Sequence, residues 1–324
     1  MCSRHKLALG LAALTIIGVA CAPIARRPDV VIGTASPTGI FYPLGASICR
    51  LLNLETPRHG LRCSETPSSG SIESIESVRH GRLDLGVVPS DVLADAVAGQ
   101  GAFRSRGPAT GLHVLFAGPD EMLTIVARRE LGIHTVAEMR GTRINIGNPG
   151  SRQRANLERV MATLGLTRSD FADVRELPAA DQHRAFCDKE LDVIAYSVGH
   201  PNGLIHDVTR ICQGGLVDVS GPAIDRMLAE YQEYERAVIP GGTYSAAQAN
   251  VQTFGVRAVV VTSPRVSDAM AYEITRTVFD NVDAFRRLHP AFETLSVAEM
   301  VHPSGRAPVH AGALRYYRER GWLP

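Results

Sequence analysis

A chain of 324 residues with 45% hydrophobic and 21% charged side chains can bury one or two sizeable cores, which excludes intrinsic disorder. Basic and acidic residues nearly balance, 34 against 33, and aromatics make up 6%, so a long phosphate polymer would find neither an electrostatic footprint nor a stacking platform and no nucleic-acid partner is expected. The 30 Gly and 19 Pro are spread along the whole length, and no repeat of roughly 20 to 50 residues marks a solenoid.

Residues 1–21 read as a signal peptide. Arg4 and Lys6 precede an apolar stretch from Leu7 to Ala20, about 14 residues and so shorter than the roughly 20 that span a bilayer. The mature chain is therefore expected to be exported, to the periplasm or the outer face of a membrane. Gly18-Val19-Ala20-Cys21 resembles a bacterial lipobox, which leaves two readings: acylation of Cys21 or simple cleavage nearby. Contact with the membrane would come only through such a lipid anchor. Loss of the first 20 residues takes the formal charge from +1 to −1.

Downstream, short apolar runs alternate with amphipathic stretches, the pattern of parallel sheets covered by helices. Val30–Thr34 predicts a strand, and Leu44, Ile48, Leu51 and Leu52 fall on one stripe of a helix. Leu61–Glu65 and Leu83–Val88 predict two more strands, with Ser71 and Asp91 expected to cap the helices that follow. A second series opens with a strand over Met122–Ala127. Thr135 and Glu138 form a capping box, Arg143–Gly147 a strand, and Ser151 starts a helix bearing Leu157, Val160, Met161 and Leu164 before Gly165 stops it. Asp192–Val198 and Leu216–Val219 predict strands, a helix carries Ile224, Met227, Leu228 and Tyr231, and Phe254–Thr262 returns to the first series. One long helix from Ser267 to Phe285, a capping box at Ser296 and Glu299 and a last helix over 311–320 close the chain.

This order predicts an α/β fold of two lobes, each an open, mostly parallel sheet flanked by helices: lobe I from 29–121 and 256–324, lobe II from 122–255. Ligands of such sheets bind beyond the C-terminal strand ends, where loops and helix N-termini converge. Ser36, Thr38, Gly39, Phe41 and Tyr42 then suit a small polar ligand, with a plain tight turn as the alternative. Asn148, Ser151 and Arg152 gather N–H groups, a hydroxyl and a guanidinium at a helix start, where an anion is favoured; helix capping and a solvated Arg explain the same residues. Ser69 and Ser71 form a second start of that kind.

No enzyme is expected. The sequence has no H-E-x-x-H, no G-x-S-x-G and no G-x-x-x-x-G-K-[ST], and His200, His206, His302 and His310 read as packing or hydrogen-bonding residues rather than metal ligands. No cofactor or metal is implied. Beyond the leader four Cys remain, Cys49, Cys63, Cys187 and Cys212, open to two disulfides in three connectivities or to four buried thiols; pairing by proximity in sequence would join 49 with 63 and 187 with 212.

Seven segments in order together resemble one family. They are Val31–Gly45 (VIGTASPTGIFYPLG), Thr66–Glu73 (TPSSGSIE), Leu83–Asp91 (LDLGVVPSD), Gly147–Ser151 (GNPGS), Tyr196–Pro201 (YSVGHP), Ile239–Tyr244 (IPGGTY) and His310–Tyr317 (HAGALRYY). On these the chain is similar to the TAXI group of solute receptors that serve TRAP (tripartite ATP-independent periplasmic) transporters, over essentially the whole mature length. The resemblance implies a type II-like periplasmic-binding-protein fold that closes on a small organic anion, an amino acid such as glutamate or a 2-oxo or dicarboxylate, and hands it to the permease subunits. It implies a cleft lined by Ser36, Thr38, Gly39, Tyr42, Ser69, Ser71, Ser90, Asp91 and Ser151, with Phe41, Asn148, Gln153, Tyr196 and Gly199 beside them. Arg152 and Gln153 stand where the family usually has Gly-Thr, Pro89 where Gln is common, and Ile72-Glu73-Ser74 lacks the usual Asn. We expect Arg152 to pair with a ligand carboxylate; the alternative places it on the outer helix face. An exported sensor for a signalling partner would share the cleft, and a hydrolase would need a Ser beside a His.

Overall fold

The computed structural model describes residues 29–34, 40–68, 70–149, 151–231, 233–245, 249–303 and 306–323. The leader, Cys21 and the loop with Ser36, Thr38 and Gly39 therefore lie outside the described residues, as does Ser69. The first elements are β1 (Asp29–Thr34), α1 (Phe41–Leu54), α2 (Thr56–His59), β2 (Arg62–Pro67), α3 (Ser71–Arg79), β3 (Leu85–Pro89) and α4 (Ser90–Ala98). A 16-residue strand, β4 (His113–Arg128), leads into β5 (Arg143–Asn145), α5 (Arg152–Thr163), β6 (Asp173–Arg175), α6 (Ala179–Cys187), β7 (Val193–Val198), α7 (Gly203–Arg210), β8 (Gly214–Val217), α8 (Pro222–Glu230) and β9 (Glu235–Ile239). The chain returns along β10 (Val251–Thr262) and ends in α9 (Asp268–Asp280), α10 (Val282–Arg286), α11 (Val297–Val301) and α12 (Ala311–Glu319).

The strands are ordered β2-β1-β3-β10-β4-β7-β5-β6, with β8 on β4 and β9 on β10. Strand β1 is parallel to β2 and β3, and β5 is parallel to β6 and β7, as the alternating pattern predicts. The two long strands are antiparallel to each other and to their neighbours β3 and β7. They pair with Met122 opposite Gly255, Glu121 opposite Val256 and Asp120 opposite Arg257. A side chain on Gly255 would put its Cβ 2.5 Å from the Glu121 carbonyl oxygen, so only glycine lets the strands meet there.

Each half of the sheet is covered on both faces. The stripe Leu44, Ile48, Leu51 and Leu52 of α1 packs with Val278, Phe279 and Tyr317 of α9 and α12 on one face of the first half, and Ile75, Val78 and Leu93 of α3 and α4 pack on the other. In the second half Leu157, Val160 and Ile224 of α5 and α8 form one core, and Phe186, Ile205 and Val208 of α6 and α7 form its counterpart. A fully buried aliphatic side chain of this kind contributes roughly 1.5–3 kcal/mol. Along β4, core membership passes from Val114–Ala117 to Leu123–Ala127; along β10 it passes from Phe254 and Val256 to Ala258–Val261. The fold is thus a two-lobed α/β structure whose lobes share two antiparallel strands.

Disulfides join Cys49 of α1 to Cys63 of β2 and Cys187 of α6 to Cys212 just beyond α7. Closing loops of 14 and 25 residues removes chain entropy equivalent to about 3 kcal/mol each.

Several local expectations are corrected. Ser71 is the first residue of α3, whose N-cap is Gly70 at φ 149, a backbone region that favours glycine. Pro89 is the N-cap of α4, and Asp91 accepts the neighbouring Val92 N–H instead of capping the helix. The helix expected to run unbroken from Ser267 divides at Asn281 into α9 and α10. The capping boxes at Thr135 and Ser296 and the Ser151 cap are present as read from the sequence. Among the described residues no helix is long and apolar enough to cross a membrane.

Candidate functional site

Strands β2 and β3 run opposite to β5, because three antiparallel pairings (β3 with β10, β10 with β4, β4 with β7) separate them, so their C-terminal ends point toward one another and α3, α4 and α5 start where they meet. Between these starts lies a cleft of about 860 Å³ lined by Ser71, Glu73, Glu76, Asp91, Ser151, Arg152, Asn156 and Tyr234, with Arg82 and Arg106 also on its wall. Both lobes contribute, because the strand ends and helix starts of the two halves face each other along the shared strands β4 and β10.

The centre of the cleft is an ion-pair triad. Arg152, first residue of α5, directs Nη1 to Asp91 Oδ2 at 2.6 Å and Nε to Glu121 Oε2 at 3.0 Å. Asp91 belongs to α4 of the first lobe and Glu121 to β4 between the lobes. The Asp91 contact is an aligned, charge-assisted hydrogen bond, whereas Glu121 Oε2 is buried without an aligned donor. Burial opposes the charge on Arg152, but Asp91 and Glu121 outweigh it and hold its pKa above the ordinary value. Burial pushes Glu121, 8% exposed, up to about 7 against the pull of Arg152, with Asp91 adding repulsion. Beneath the triad Asn156 donates to Ser197 Oγ at 3.1 Å and accepts from the Tyr234 hydroxyl at 3.0 Å. Burial, with Asp91 next, raises that hydroxyl to about 12, so it stays a donor at neutral pH.

Successive side chains of a strand point to opposite faces, so Asp120 faces away from this triad. It accepts from Arg257 Nε at 3.0 Å, in a second groove of about 350 Å³ bordered by Asp120, Arg257, His200 and Glu299. Arg257 also meets Glu235 of β9 at 3.3 Å and donates to the Glu299 carbonyl of α11. Beside it Thr124 Oγ1 donates to the Met122 carbonyl and so accepts from His200 Nε2–H, which leaves His200 Nδ1 to accept from the Tyr244 hydroxyl, itself an acceptor from Asn202 N–H. Burial lowers His200 to about 4, in keeping with a neutral structural histidine.

The model of the NMT1-like family matches residues 32–321. The chain belongs to that family. It is also similar to solved structures: the periplasmic aliphatic sulphonate binding protein SsuA from Escherichia coli (15% identity, TM-score 0.48, 92% of this chain and 94% of that one), the alkanesulfonate-binding protein SsuA from Xanthomonas axonopodis pv. citri bound to MOPS (16%, 0.44, 91% and 94%) and lipoprotein Tp32 from Treponema pallidum (12%, 0.46, 83% and 98%). Likeness of this degree names no ligand.

In this NMT1-like protein, Ser71, Asp91, Ser151 and Arg152 come together on the cleft wall. Arg152 is on the cleft wall and not on the outer helix face, and two carboxylates of the protein hold it there. Ser151 is taken up by its own helix, donating to Asn148 O and accepting from Arg154 N–H. Four candidates are interior instead of lining. Phe41 packs in the first core, and Tyr196 is in the core between α6 and α7. Gln153 lies under Gly147, and Ser90 accepts from Arg257 N–H and donates to Glu233 O. Tyr42 is half-buried at the start of α1, Asn148 is half-buried with its amide on Pro149 O, and Gly199 packs on Ile40 beside the Asp120 carbonyl. Glu121, Tyr234 and Asn156 are site residues that the sequence reading misses. For Glu121 a signal exists: adjacent acids, Asp120-Glu121, inside a run that is apolar on both sides.

Proposed function

We propose that this NMT1-like protein is an extracytoplasmic solute receptor that binds a small organic anion between its lobes and delivers it to a TRAP-type secondary transporter, without covalent chemistry. One observation carries the reading: Arg152 of one lobe reaches Asp91 of the other across an open, solvent-accessible cleft at the meeting point of three helix starts. A ligand that contacts both walls there favours the closed form by its differential affinity for the two states. Lobe I is assigned to 29–121 and 256–324 and lobe II to 122–255, with the hinge in the shared strands. The leader-like N-terminus and the seven-segment resemblance to TAXI receptors support export and a TRAP partner. Carboxylates are the preferred class because a guanidinium pairs with them through two parallel N–H donors.

The test is a thermal-shift screen of residues 22–324, stripped of co-purified solute, against glutamate, glutamine, 2-oxoglutarate, C4 dicarboxylates, branched 2-oxo acids, alkanesulfonates and neutral controls. A ligand of the folded state raises the midpoint by an amount that grows with concentration over Kd. A shift confined to one anion class supports the reading, and no shift with any solute removes it.

A further inference from the structure

Resting on the receptor reading, we propose that Glu121 couples anion binding to a proton: a ligand carboxylate takes the place of Glu121 on Arg152, and the displaced Glu121 takes up one proton from solvent. No bond in the ligand changes. One O–H bond forms on Glu121, the proton coming from water or buffer, so the cleft gains one anion and one proton together.

The geometry assigns the role to Glu121 and not to Asp91. Asp91 is held at both oxygens, Oδ2 by the aligned Nη1–H of Arg152 and Oδ1 by Val92 N–H at 2.7 Å. Glu121 Oε2 meets Arg152 Nε at 3.0 Å without alignment and is otherwise buried. The Nε–Nη2 edge of a guanidinium is the edge a carboxylate grips with two hydrogen bonds. A ligand approaching that edge exchanges a poorly aligned contact for a bidentate one. Glu121 would then be a buried carboxylate with no cation beside it, which costs several kcal/mol unless it is neutralised.

The charges facing Glu121 make neutralisation by another route unfavourable. From α4 comes Asp91; from α5 comes Arg152, already shared; Tyr234 from the segment before β9 is a neutral donor held by Asn156. Glu73 and Glu76 of α3 line the same cleft and add negative potential, while Arg82, Arg106 and His80 lie along its wall with other partners. Arg257, from the paired strand β10, is turned to the opposite face with Asp120. Burial already pushes Glu121 up to about 7, so loss of Arg152 moves it further toward the protonated form at neutral pH.

Isothermal titration of the intact mature protein with glutamate, 2-oxoglutarate and succinate tests this, run near pH 6, 7 and 8 in two buffers of different ionisation enthalpy. The expected result is uptake of close to one proton per ligand near pH 8. The association constant is flat below about pH 7 and falls about tenfold per pH unit above it. Glu121→Gln, which has the shape of the protonated side chain, binds with no proton uptake and no such slope. The wild-type measurement stands even if the variant folds poorly. Wild-type binding without proton uptake overturns the proposal and leaves the receptor reading intact. Equal uptake by wild type and Glu121→Gln assigns the proton elsewhere and also overturns it. If no carboxylate binds at any pH, the exchange at Arg152 is overturned; the receptor reading falls only if sulfonates and neutral solutes also leave the melting temperature unchanged.

Discussion

The two faces of the shared strands carry the same charge inventory, one arginine between two carboxylates, yet they do different work. In front, Arg152 holds Asp91 and Glu121; behind, Arg257 holds Asp120 and Glu235. The rear arginine makes an aligned bond to its nearest acid and adds a carbonyl of α11, so it ties the shared strands to the helices behind them. The front arginine leaves its strand-borne acid unaligned and buried, near the point where a proton is exchanged at neutral pH. Burial and alignment, more than the number of charges, decide whether an ion-pair cluster is a fixed tie or a responsive one.

Removing the fixed tie has the largest expected effect. Arg257→Ala leaves Asp120, whose pKa burial already raises against the pull of Arg257, without its cation, and a pair broken in such a setting costs about 3–5 kcal/mol. Urea unfolding should show that loss near neutral pH. A cost under about 1 kcal/mol would make the rear cluster no more than a surface pair and erase the contrast.

The front cluster should instead show its energy as a pH dependence. A carboxyl whose folded pKa lies above its unfolded value loses stability as pH rises from the unfolded value, about 4.5, through the folded one, about 7. Ionising Glu121 within the fold therefore costs on the order of 3 kcal/mol above that window and nothing below it. Glu121→Gln does not titrate, so its stability relative to wild type should climb by about that amount between about pH 4.5 and pH 8. A difference that stays constant with pH would place the charge cost elsewhere.

Between the faces, Gly255 lets β10 approach β4 opposite Met122, next to Glu121. Gly255→Ala forces a methyl against the Glu121 carbonyl, a backbone atom that cannot step aside, and should cost about 2 kcal/mol in thermal or urea unfolding. If the melting temperature is unchanged, the strands can slip apart there and are held more loosely than their pairing implies.

The fold is legible where signals are local, and most of the site is not. Leu44, Ile48, Leu51 and Leu52 on α1, the Thr135 and Ser296 capping boxes and the Ser151 cap all rest on short-range spacing, and each is realised. The sequence predicts β4 only from Met122, because Gly118-Pro119-Asp120-Glu121 carries turn-forming residues; pairing with β10 overrides that preference. The division at Asn281 is hidden because Ile274, Val278, Val282 and Phe285 keep helical spacing across it. In the site, Ser71, Asp91, Ser151 and Arg152 can be placed from the rule that ligands gather at strand ends. Glu121 lies 30 residues beyond Asp91 and 31 before Arg152, and only the crossing of two long strands brings the three together.

The smallest effect separates the two helix starts that form the walls of the cleft. Ser151 accepts Arg154 N–H as the N-cap of α5, so Ser151→Ala should lose about 1 kcal/mol of stability. Ser71 stands one position inside α3, after a glycine N-cap with no side-chain cap, so Ser71→Ala should stay within about 0.5 kcal/mol. In a solute titration the order should reverse, because a hydroxyl not spent on its helix is the one available to a ligand. Equal stability costs for the two variants would mean that Ser71 caps α3 after all, and its hydroxyl would then be no freer to meet a ligand than that of Ser151.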